Sequence, residues 1–369
     1  MERPLAIGSP ESTRSFGDVV ELMRIQAKTP PGNDPCIGSC YECLVSLIDT
    51  DEEIGDFFAR IYQERSSLTP AHAVNLTFRS IQHIQLNLKS DRSYLDFETS
   101  EQWRPLLVEL MAPDNRKLLE ELLLIKDTIT TVYQRYAGPK AIISSYWNGD
   151  PVNVADFGCG ANVGLPGIEL NVPFEAITDE TPDQLVLSEN RKPLNIQVGL
   201  AIDKYNPEDP DVKMWSIACS HYPKELRELK GDNELASRFK GSRNTAFLQA
   251  DLLSQQAPHM IPKNEFDAVI LSTVLYQRTP TERETIITEA YKAIKSTGII
   301  IIQDFARKDP VNSQALLFNG AWGGGEFGYR TFILRKYPNA DLLEALRWSD
   351  GRCRTVKPGE DFNVLQQER

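Results

Sequence analysis

The stretch that decides the fold is Val152-Asn153-Val154-Ala155-Asp156-Phe157-Gly158-Cys159-Gly160. Its first half is apolar and β-branched, which predicts a buried strand. The glycines behind it let the backbone turn sharply and pass close to a ligand, because any side chain would occupy the ligand's volume. The stretch therefore predicts a strand that ends in a ligand-binding turn, although a purely structural turn would also explain the glycines.

Further strand-like runs follow this turn and alternate with polar or helical stretches. The predicted strands are residues 152–156, 196–203, 245–251, 266–272 and 298–304. The last of them contains the continuous apolar run Ile299–Ile302, as a strand buried on both faces requires, and the helix Thr281–Lys295 precedes it. We therefore expect a mainly parallel sheet with helices on each side, and the alternating residues of Tyr329–Arg335 predict an antiparallel strand at its end.

The first part of the chain has amphipathic helical patterns instead, from about residue 15 to about residue 137. Asp51 is expected to open one helix, and Asp114 to cap a long run that reaches Ile129. Turn signals at Gly138-Pro139 and Asn148-Gly149-Asp150-Pro151 predict a boundary near residue 150. The predicted domains are an all-α unit, residues 1–149, and an α/β unit, residues 150–369.

The composition agrees with two globular domains. The chain has 369 residues, 41% hydrophobic and 25% charged, and a formal net charge of -12. The acidic balance argues against nucleic acid as a partner, since nonspecific binding depends on Lys and Arg neutralising phosphates. No run approaches the roughly eighteen apolar residues of a membrane helix, and the start of the chain lacks the apolar core of a leader. The sequence therefore predicts a cytoplasmic protein without a membrane partner.

Acidic or polar residues close the strands that follow the glycine turn. Asp203 ends the second strand, Asp251 ends the third, and the fourth opens into Ser272-Thr273-Val274-Leu275-Tyr276. Taken in this order with the Asp-x-Gly-Cys-Gly turn, these features resemble class I S-adenosylmethionine-dependent methyltransferases, over about residues 150–335. The fold class that the resemblance implies is α/β: a Rossmann-like methyltransferase domain with a terminal antiparallel strand, preceded by the all-α N-terminal domain.

The resemblance also implies S-adenosyl-L-methionine as the cofactor and a role for each position. Gly158 and Gly160 would face its methionine and ribose portion, with Asp156 near its ammonium group. Asp203 would accept hydrogen bonds from the ribose hydroxyls, and Asp251 from the adenine amino group. The implied cofactor-binding residues are Asp156, Gly158, Cys159, Gly160, Asp203, Lys204, Asp251, Leu252, Ser272 and Thr273. A helix N-cap or a turn behind a strand would also explain Asp203 and Asp251.

Departures from the family pattern predict two insertions. The gaps from Gly164 to Asp203 and from Asp203 to Asp251 are about twice the roughly twenty residues that separate comparable features in nucleotide-binding units. Segments inserted at the carboxyl ends of strands lie over the ligand crevice, so we expect them to build the acceptor pocket. Asp179 competes with Asp203 as the ribose acid but follows a poorer strand, and Asn162 stands where a glycine is frequent.

Aromatic and polar residues cluster in the second insertion and behind the fifth strand. They are Trp215, Cys219, His221 and Tyr222 in the insertion, and Phe318, Trp322, Gly323-Gly324-Gly325, Glu326, Phe327 and Tyr329 behind the strand. Two interpretations stay open: the aromatic wall of an acceptor pocket with a glycine hinge, or a β-hairpin with buried aromatic residues.

The predicted function is methyl transfer to a small-molecule acceptor, with the helical domain as a lid or a homodimer surface. Transfer from a sulfonium is an in-line displacement that needs no base, but for a hydroxyl or weakly acidic carbon His221 is the first candidate base, before Tyr276, Glu326 and Asp304. One alternative is an RNA methyltransferase, to which Gly164-Leu165-Pro166-Gly167-Ile168 has a faint resemblance. Another is a noncatalytic binding or scaffold protein of the same fold.

Three of the six cysteines, Cys36, Cys40 and Cys43, have the spacing C-x3-C-x2-C. That spacing resembles the cluster-binding loop of radical S-adenosylmethionine enzymes, in which the loop follows the first strand of a barrel. Here it follows a proline-rich loop and leads into helical patterns. The favoured interpretation is a helix capped by Asp34 whose buried face carries the three thiols. Structural zinc lacks an evident fourth ligand, so no metal is predicted.

Overall fold

The protein is seen in a computed structural model that describes residues 6–8, 15–66, 68–179, 193–228, 242–318, 328–336 and 341–365. The helices are α1 (Phe16–Lys28), α2 (Pro35–Thr50), α3 (Glu52–Glu64), α4 (Pro70–His83), α5 (Ser100–Met111), α6 (Arg116–Ile125), α7 (Ala137–Trp147), α8 (Gly164–Glu169), α9 (Pro210–Ser220), α10 (Pro223–Glu228), α11 (Ala257–Met260) and α12 (Pro280–Ala293). The strands are β1 (Ala6–Gly8), β2 (Pro151–Phe157), β3 (Thr178–Asp179), β4 (Asn195–Asp203), β5 (Thr245–Gln249), β6 (Phe266–Ser272), β7 (Ile294–Lys308), β8 (Ala315–Phe318), β9 (Tyr329–Arg335), β10 (Leu342–Trp348) and β11 (Thr355–Pro358).

The sheet has a parallel half built from the predicted strands. Strands β7, β6, β2, β4 and β5 lie side by side in that order, and each pair is parallel. Ile300, Ile301 and Ile302 of β7 are fully buried, as expected for a strand covered on both faces. The predicted fold class is confirmed: a mainly parallel α/β sheet preceded by a helical region, in which β9 pairs antiparallel with β7.

The outer half of the sheet extends beyond this prediction. Strand β9 is not the last strand, because β10 and β11 continue it as an antiparallel meander, and β3 pairs with β11 at the far edge. The helical region is also not purely helical, since β1 precedes α1 and pairs with β8. Strands of two to four residues carry too few side chains for a periodic pattern, which is why the sequence did not predict β1 or β3.

Helix ends follow local capping chemistry in most places. The Asp51 side chain accepts hydrogen bonds from the backbone N–H groups of Glu53 and Ile54, so it opens α3 as predicted. The prediction for the long apolar run was wrong at both ends. Asp114 does not cap α6, which begins at Arg116 behind a turn, and the helix ends at Ile125 instead of continuing to Ile129.

Three hydrophobic clusters hold these elements together. The first joins helices α1 to α6 with Val212, Trp215 and Cys219 of α9 and Leu226 of α10. The second and third lie on the two faces of the sheet, under α12 on one side and under α7 on the other. Thus α7 packs on the sheet, and the second insertion packs with the helical region, while the division at residue 149 stays a prediction. None of the helices in the described ranges has the length and apolarity needed to cross a membrane.

Candidate functional site

A cleft lies where the carboxyl ends of β2, β4, β5 and β6 meet. Ligands of open α/β sheets bind at this edge, near the point where the strand order reverses. The walls that the sheet supplies include eight of the ten predicted cofactor-binding residues: Gly158, Gly160, Asp203, Lys204, Asp251, Leu252, Ser272 and Thr273. Residues that lie far apart in the sequence therefore form one surface.

The glycine turn is held by backbone hydrogen bonds to β4. The N–H groups of Gly158 and Cys159 donate to the Ile202 carbonyl, at 2.8 and 3.1 Å. Gly158 and Gly160 have φ angles of 78° and 58°, the left-handed region that glycine adopts without strain. Asn162 also has a positive φ, 50°, and asparagine is among the few other residues that tolerate it. The departure from glycine at that position is thus compatible with the turn.

The Asp203 carboxylate braces the same turn. Its two oxygens accept backbone N–H groups from Gly160 at 2.9 Å and from Tyr205 at 3.1 Å. Burial raises the pKa of Asp203, while these hydrogen bonds act in the opposite direction. Each oxygen accepts one hydrogen bond here and has lone pairs for another, so the turn and a ligand hydroxyl can share the carboxylate.

Asp251 and Asp179 lie in different places. Asp251 is exposed on the cleft wall directly behind β5, and its side chain accepts the N–H of Leu253 at 2.9 Å. Asp179 ends β3 at the far edge of the sheet, where it pairs with Val356 of β11. The cleft therefore favours Asp203 over Asp179 as the ribose acid.

Asp156 and Cys159 lie beneath the turn and do not line the cleft. Asp156 is fully buried, and one of its oxygens accepts the Tyr136 hydroxyl at 2.7 Å. Its other oxygen, Oδ1, has no hydrogen-bond partner among the described residues. Burial raises the pKa of Asp156 to about 7, against the effect of the Tyr136 hydrogen bond and with a smaller upward contribution from the charge of Asp203.

Thr273 has a strained backbone at the end of β6. Its φ of 61° is uncommon for a β-branched residue, and such outliers cluster at functional sites. Its hydroxyl lies 2.9 Å from the Tyr329 hydroxyl and accepts a hydrogen bond from Arg135 at 3.2 Å. Side chains from β9 and from the segment before α7 thus hold this residue at the cleft wall.

A segment that the sequence did not predict covers the open side of the cleft. Residues 126–132 connect α6 to the turn before α7 without helix or strand, and Asp127 to Thr131 line the cleft. The Thr131 hydroxyl accepts the N–H of Ala161 at 2.8 Å, so the segment lies directly against the glycine turn. A Cβ at Gly160 would overlap Thr131, which is a reason for glycine there besides its φ angle.

Asp127 anchors this segment through three cations. Its carboxylate lies 2.8 Å from Arg65, 2.7 Å from Lys204 and 3.5 Å from Arg278. Burial alone would raise the pKa of Asp127, but Lys204 and Arg278 hold it well below its usual value. Lys204, predicted as a cofactor residue, is therefore also the tie between β4 and the covering segment.

The chemistry of the residues at the cleft suits S-adenosylmethionine, but the free volume of the cleft is small for it. Two acids at the ends of neighbouring strands and a glycine turn match its hydroxyl and amino groups, whereas Asp156 lies beneath the turn. The free space is only about 100 Å³, however, below the roughly 300 Å³ at the lower end of ligand pockets. Segment 126–132 forms part of the wall, so its displacement would enlarge this space.

The predicted catalytic residues are not gathered at the cleft. His221 lies at the end of α9, off the cleft wall, and burial lowers its pKa to about 4. Tyr276 is buried between Phe305 and His72. Asp304 is also fully buried and accepts the N–H groups of Leu275, Tyr276 and Phe305; Glu326 lies outside the described residues. Their catalytic roles stay predictions, while the geometry gives Asp304 a positioning role behind β6.

The cysteine triplet has the helical setting that the sequence favoured. Asp34 caps α2 by accepting the N–H of Cys36 at 3.1 Å, and Cys36, Cys40 and Cys43 are all buried on that helix. The Cys36 thiol donates to the Tyr94 carbonyl at 3.1 Å. Within the described residues, no group of three or more His, Cys, Asp or Glu side chains is arranged to hold a metal ion.

A second and larger cavity, of about 480 Å³, lies beside the first. Its walls include Tyr222 of the second insertion, Phe305 at the end of β7 and Tyr329 of β9. Of the other aromatic residues predicted for a pocket, Trp215 and Phe318 are buried in the core, while Trp322 and Phe327 lie outside the described residues. Of the residues predicted for an acceptor wall, Tyr222 and Tyr329 line this cavity, and their role stays a prediction.

Comparisons with known proteins add the following findings. No protein-family model and no curated protein matches the chain. Solved structures that resemble it include the complex of the Haloferax volcanii Trm112 methyltransferase activator with a protein assigned as a methyltransferase (13% identity, 49% of this chain, 56% of that chain, TM-score 0.27). Another is a protein from Listeria monocytogenes assigned as an S-adenosylmethionine-dependent methyltransferase (16% identity, 47% of this chain, 55% of that chain, TM-score 0.26).

These matches bear on the fold and no further. The chain spans about half the length of the first solved structures that it matches. Several of the matched structures are described as methyltransferases, two of them as S-adenosylmethionine-dependent. With TM-scores near 0.26, the fold class rests on the observed strand order of this chain, and the activity is a separate question.

Proposed function

We propose that the protein is an S-adenosylmethionine-dependent methyltransferase that acts on a small-molecule acceptor. The observation that carries the proposal is the convergence of Gly160, Asp203, Asp251 and Thr273 on one cleft at the carboxyl ends of β2, β4, β5 and β6. These residues come from widely separated parts of the chain. A structural turn explains each of them singly, but not their meeting in a cleft.

The chain's own residues would perform the binding. The Asp203 carboxylate can accept ribose hydroxyls with the lone pairs that the turn leaves free, and Asp251 can accept an amino group. An ammonium contact with Asp156 would require its buried Oδ1 to become accessible, because this side chain lies beneath the turn and off the cleft wall. When bound, the cofactor supplies a methyl group activated by its sulfonium.

The protein's contribution to the transfer would be positioning and exclusion of water. An in-line displacement requires the acceptor atom about 3 Å from the methyl carbon, and holding it there accounts for much of the rate of such reactions. Segment 126–132 can close over the cleft, and the second cavity next to it can hold the acceptor. A general base stays optional, and His221, Tyr276 and Glu326 stay candidates for it.

A transfer assay with isotopically labelled methyl donor and an extract of the source organism tests this proposal. We expect label in the small-molecule fraction, and at least a tenfold loss in Asp203→Ala. Asp91→Ala is a matched control, because Asp91 also accepts a backbone N–H two residues ahead but does not line the cleft. Label in RNA would support the RNA methyltransferase instead, and cofactor binding without any transfer would support the noncatalytic alternative.

A further inference from the structure

The second cavity contains a buried cation that the fold itself does not neutralise. Arg135 precedes α7 and is only 4% exposed. Its Nε donates to the Gly351 carbonyl at 2.8 Å, and its Nη1 donates to the Thr130 carbonyl at 3.1 Å and to the Thr273 hydroxyl at 3.2 Å. Among the described residues, no carboxylate lies within ion-pair distance of Arg135. No atom of these residues accepts a hydrogen bond from its Nη2. A buried charge without a partner is costly, so this arrangement calls for a ligand.

The other charged groups of the cavity largely satisfy one another. Arg352 pairs with Glu225 at 2.8 Å, and Arg354 pairs with Glu175 at 3.1 Å. Asp34 accepts the backbone N–H groups of Cys36 and Lys224, and Asp350 accepts that of Arg352. Lys224 and Glu228 are exposed at the rim and offset each other in formal charge. The lining side chains carry four positive and four negative formal charges, and Arg135 is the buried cation among them that has no carboxylate partner in the described part of the chain.

The position of Arg135 connects this charge to the cofactor cleft. Its Nη1 contacts Thr130 and Thr273, which both line that cleft, while its Nε side faces Gly351 in the second cavity. The guanidinium also lies over the Tyr329 ring, 5.6 Å from its centroid. A group bound to Arg135 would therefore lie next to the cleft in which the methyl donor would bind.

The walls next to Arg135 suit a flat ring. Phe305 and Tyr329 contact each other at 4.8 Å between ring centroids. Tyr222 lies between two guanidinium groups, with Arg352 at 4.3 Å and Arg79 at 5.1 Å from its ring centroid, and is thus held in place. Aromatic walls with a few convergent polar groups are typical of small-molecule sites.

We propose that the second cavity binds the methyl acceptor and that the acceptor is a small aromatic molecule with one carboxylate, held by the Arg135 guanidinium. This inference rests on the proposed function. A guanidinium pairs with a carboxylate through parallel N–H donors, and its free Nη2 supplies one of them. A carboxylate can pair with the Arg135 guanidinium, whereas a doubly charged phosphate would be repelled more strongly by Glu225 and Asp350 on the same walls.

Titration calorimetry with matched probes tests the inference on the wild-type chain. The probes are benzoate and 4-hydroxybenzoate, their uncharged amides, and phenyl phosphate, each in the presence of S-adenosylhomocysteine. We expect the carboxylates to bind at least tenfold more tightly than the amides, and phenyl phosphate more weakly than benzoate. Equal binding of amides and carboxylates, no carboxylate binding up to about 10 mM, or a preference for phenyl phosphate would each overturn it.

Variants locate the binding site. Arg135→Gln should lose at least tenfold in benzoate affinity, and Arg135→Lys should lose less. Arg24→Gln is the matched control, since this exposed arginine of α1 pairs with Asp49, lines neither cavity and should change binding less than twofold. Unchanged benzoate binding in Arg135→Gln would contradict the assignment.

A measurement on the wild-type protein covers the case in which Arg135→Gln does not fold. Benzoate should shift the NMR signal of the Arg135 Nε–H group and leave that of the exposed Arg24 unchanged. An unshifted Arg135 signal at saturating benzoate would overturn the site. Calorimetry with S-adenosylmethionine on the same samples separates the two claims: cofactor binding without carboxylate preference refutes only the acceptor class, and absent cofactor binding refutes the proposed function.

Discussion

Asp156 lies beneath the glycine turn, and the burial of its carboxylate lowers stability. Its carboxylate is fully buried, with one hydrogen bond from Tyr136 and an unpartnered oxygen. Removing a carboxylate from water disfavours its charged form, and one hydrogen bond does not compensate for this. The protein retains a carboxyl there that is neutral in mildly acidic solution, and a bound cation would pull it into the charged form.

The pH dependence of stability follows from this pKa. The folded state holds the Asp156 proton up to about pH 7, while the unfolded chain releases it near its ordinary value of 3.8. The folded state therefore binds more protons over that interval, and the free energy of unfolding falls as pH rises through it. In Asp156→Asn, whose amide can still accept the Tyr136 hydroxyl, this loss should vanish. Urea unfolding at about pH 5.5 and pH 8 should show the variant gaining on the order of 2 kcal/mol relative to wild type; a constant difference between the two proteins would contradict the buried, charged carboxylate.

At the scale of elements, segment 126–132 lines the cleft, and we expect it to control access. It has no helix or strand hydrogen bonds of its own, and its contacts are made by side chains and caps from other elements. Trp215 donates to the Asp127 carbonyl at 2.8 Å, and the N–H of Thr131 donates to the Ser220 hydroxyl at 3.0 Å. Removing a few of these contacts should free the segment without unfolding the sheet beneath it.

Asp127→Asn tests this control. The substitution removes the charge that Arg65, Lys204 and Arg278 share, and because these cations are partly solvated we expect a loss of about 2 kcal/mol in stability. Amide hydrogen exchange in residues 126–132 should become faster, and S-adenosylmethionine should associate more rapidly because the cleft opens more easily. Glu109→Gln, which removes an exposed pair with Lys89, is the control and should change neither. Slower association in Asp127→Asn would contradict the idea that the segment controls access.

The sequence predicted those elements whose signals are local. The β-branched run Ile299–Ile302 favours a strand buried on both faces, and residues 152–160 predict the glycine turn. The end of α6 was mispredicted because Ile129 continues the apolar pattern of that helix. In the structure Ile129 lies behind the helix and lines the cleft. Arg135 was missed because its partner Gly351 lies 216 residues away, and no local pattern encodes such a contact.

At the scale of the whole molecule, the second insertion and the helical region form one core. The Trp215 side chain of α9 is 1% exposed and packs edge-on against His83 of α4, 5.2 Å between ring centroids. Arg79 and Gln82 of α4 donate to the carbonyls of Ala218 and His221. The helical layer is therefore built from helices that precede β2 in the sequence and from helices of the second insertion, which follows β2. Its stability depends on that insertion.

Trp215→Ala should consequently destabilise the helical layer as well as the insertion. Truncating a buried tryptophan costs about 3–5 kcal/mol, and the loss of its hydrogen bond to Asp127 should loosen the covering segment too. Thermal unfolding followed by circular dichroism should show a lower midpoint with a single transition. Trp215→Phe, which retains a ring but no donor, should lose less. Two separate transitions in the wild type would contradict a shared core.

The central claim is that the cleft at the ends of β2, β4 and β5 binds S-adenosylmethionine, and titration calorimetry measures this most directly. We predict that the wild type and Asp91→Ala bind it with a dissociation constant on the order of micromolar, that Asp203→Ala binds at least about tenfold more weakly, and that NAD gives no binding heat. Absence of S-adenosylmethionine binding by the folded wild type, or unchanged binding by Asp203→Ala, would contradict the claim.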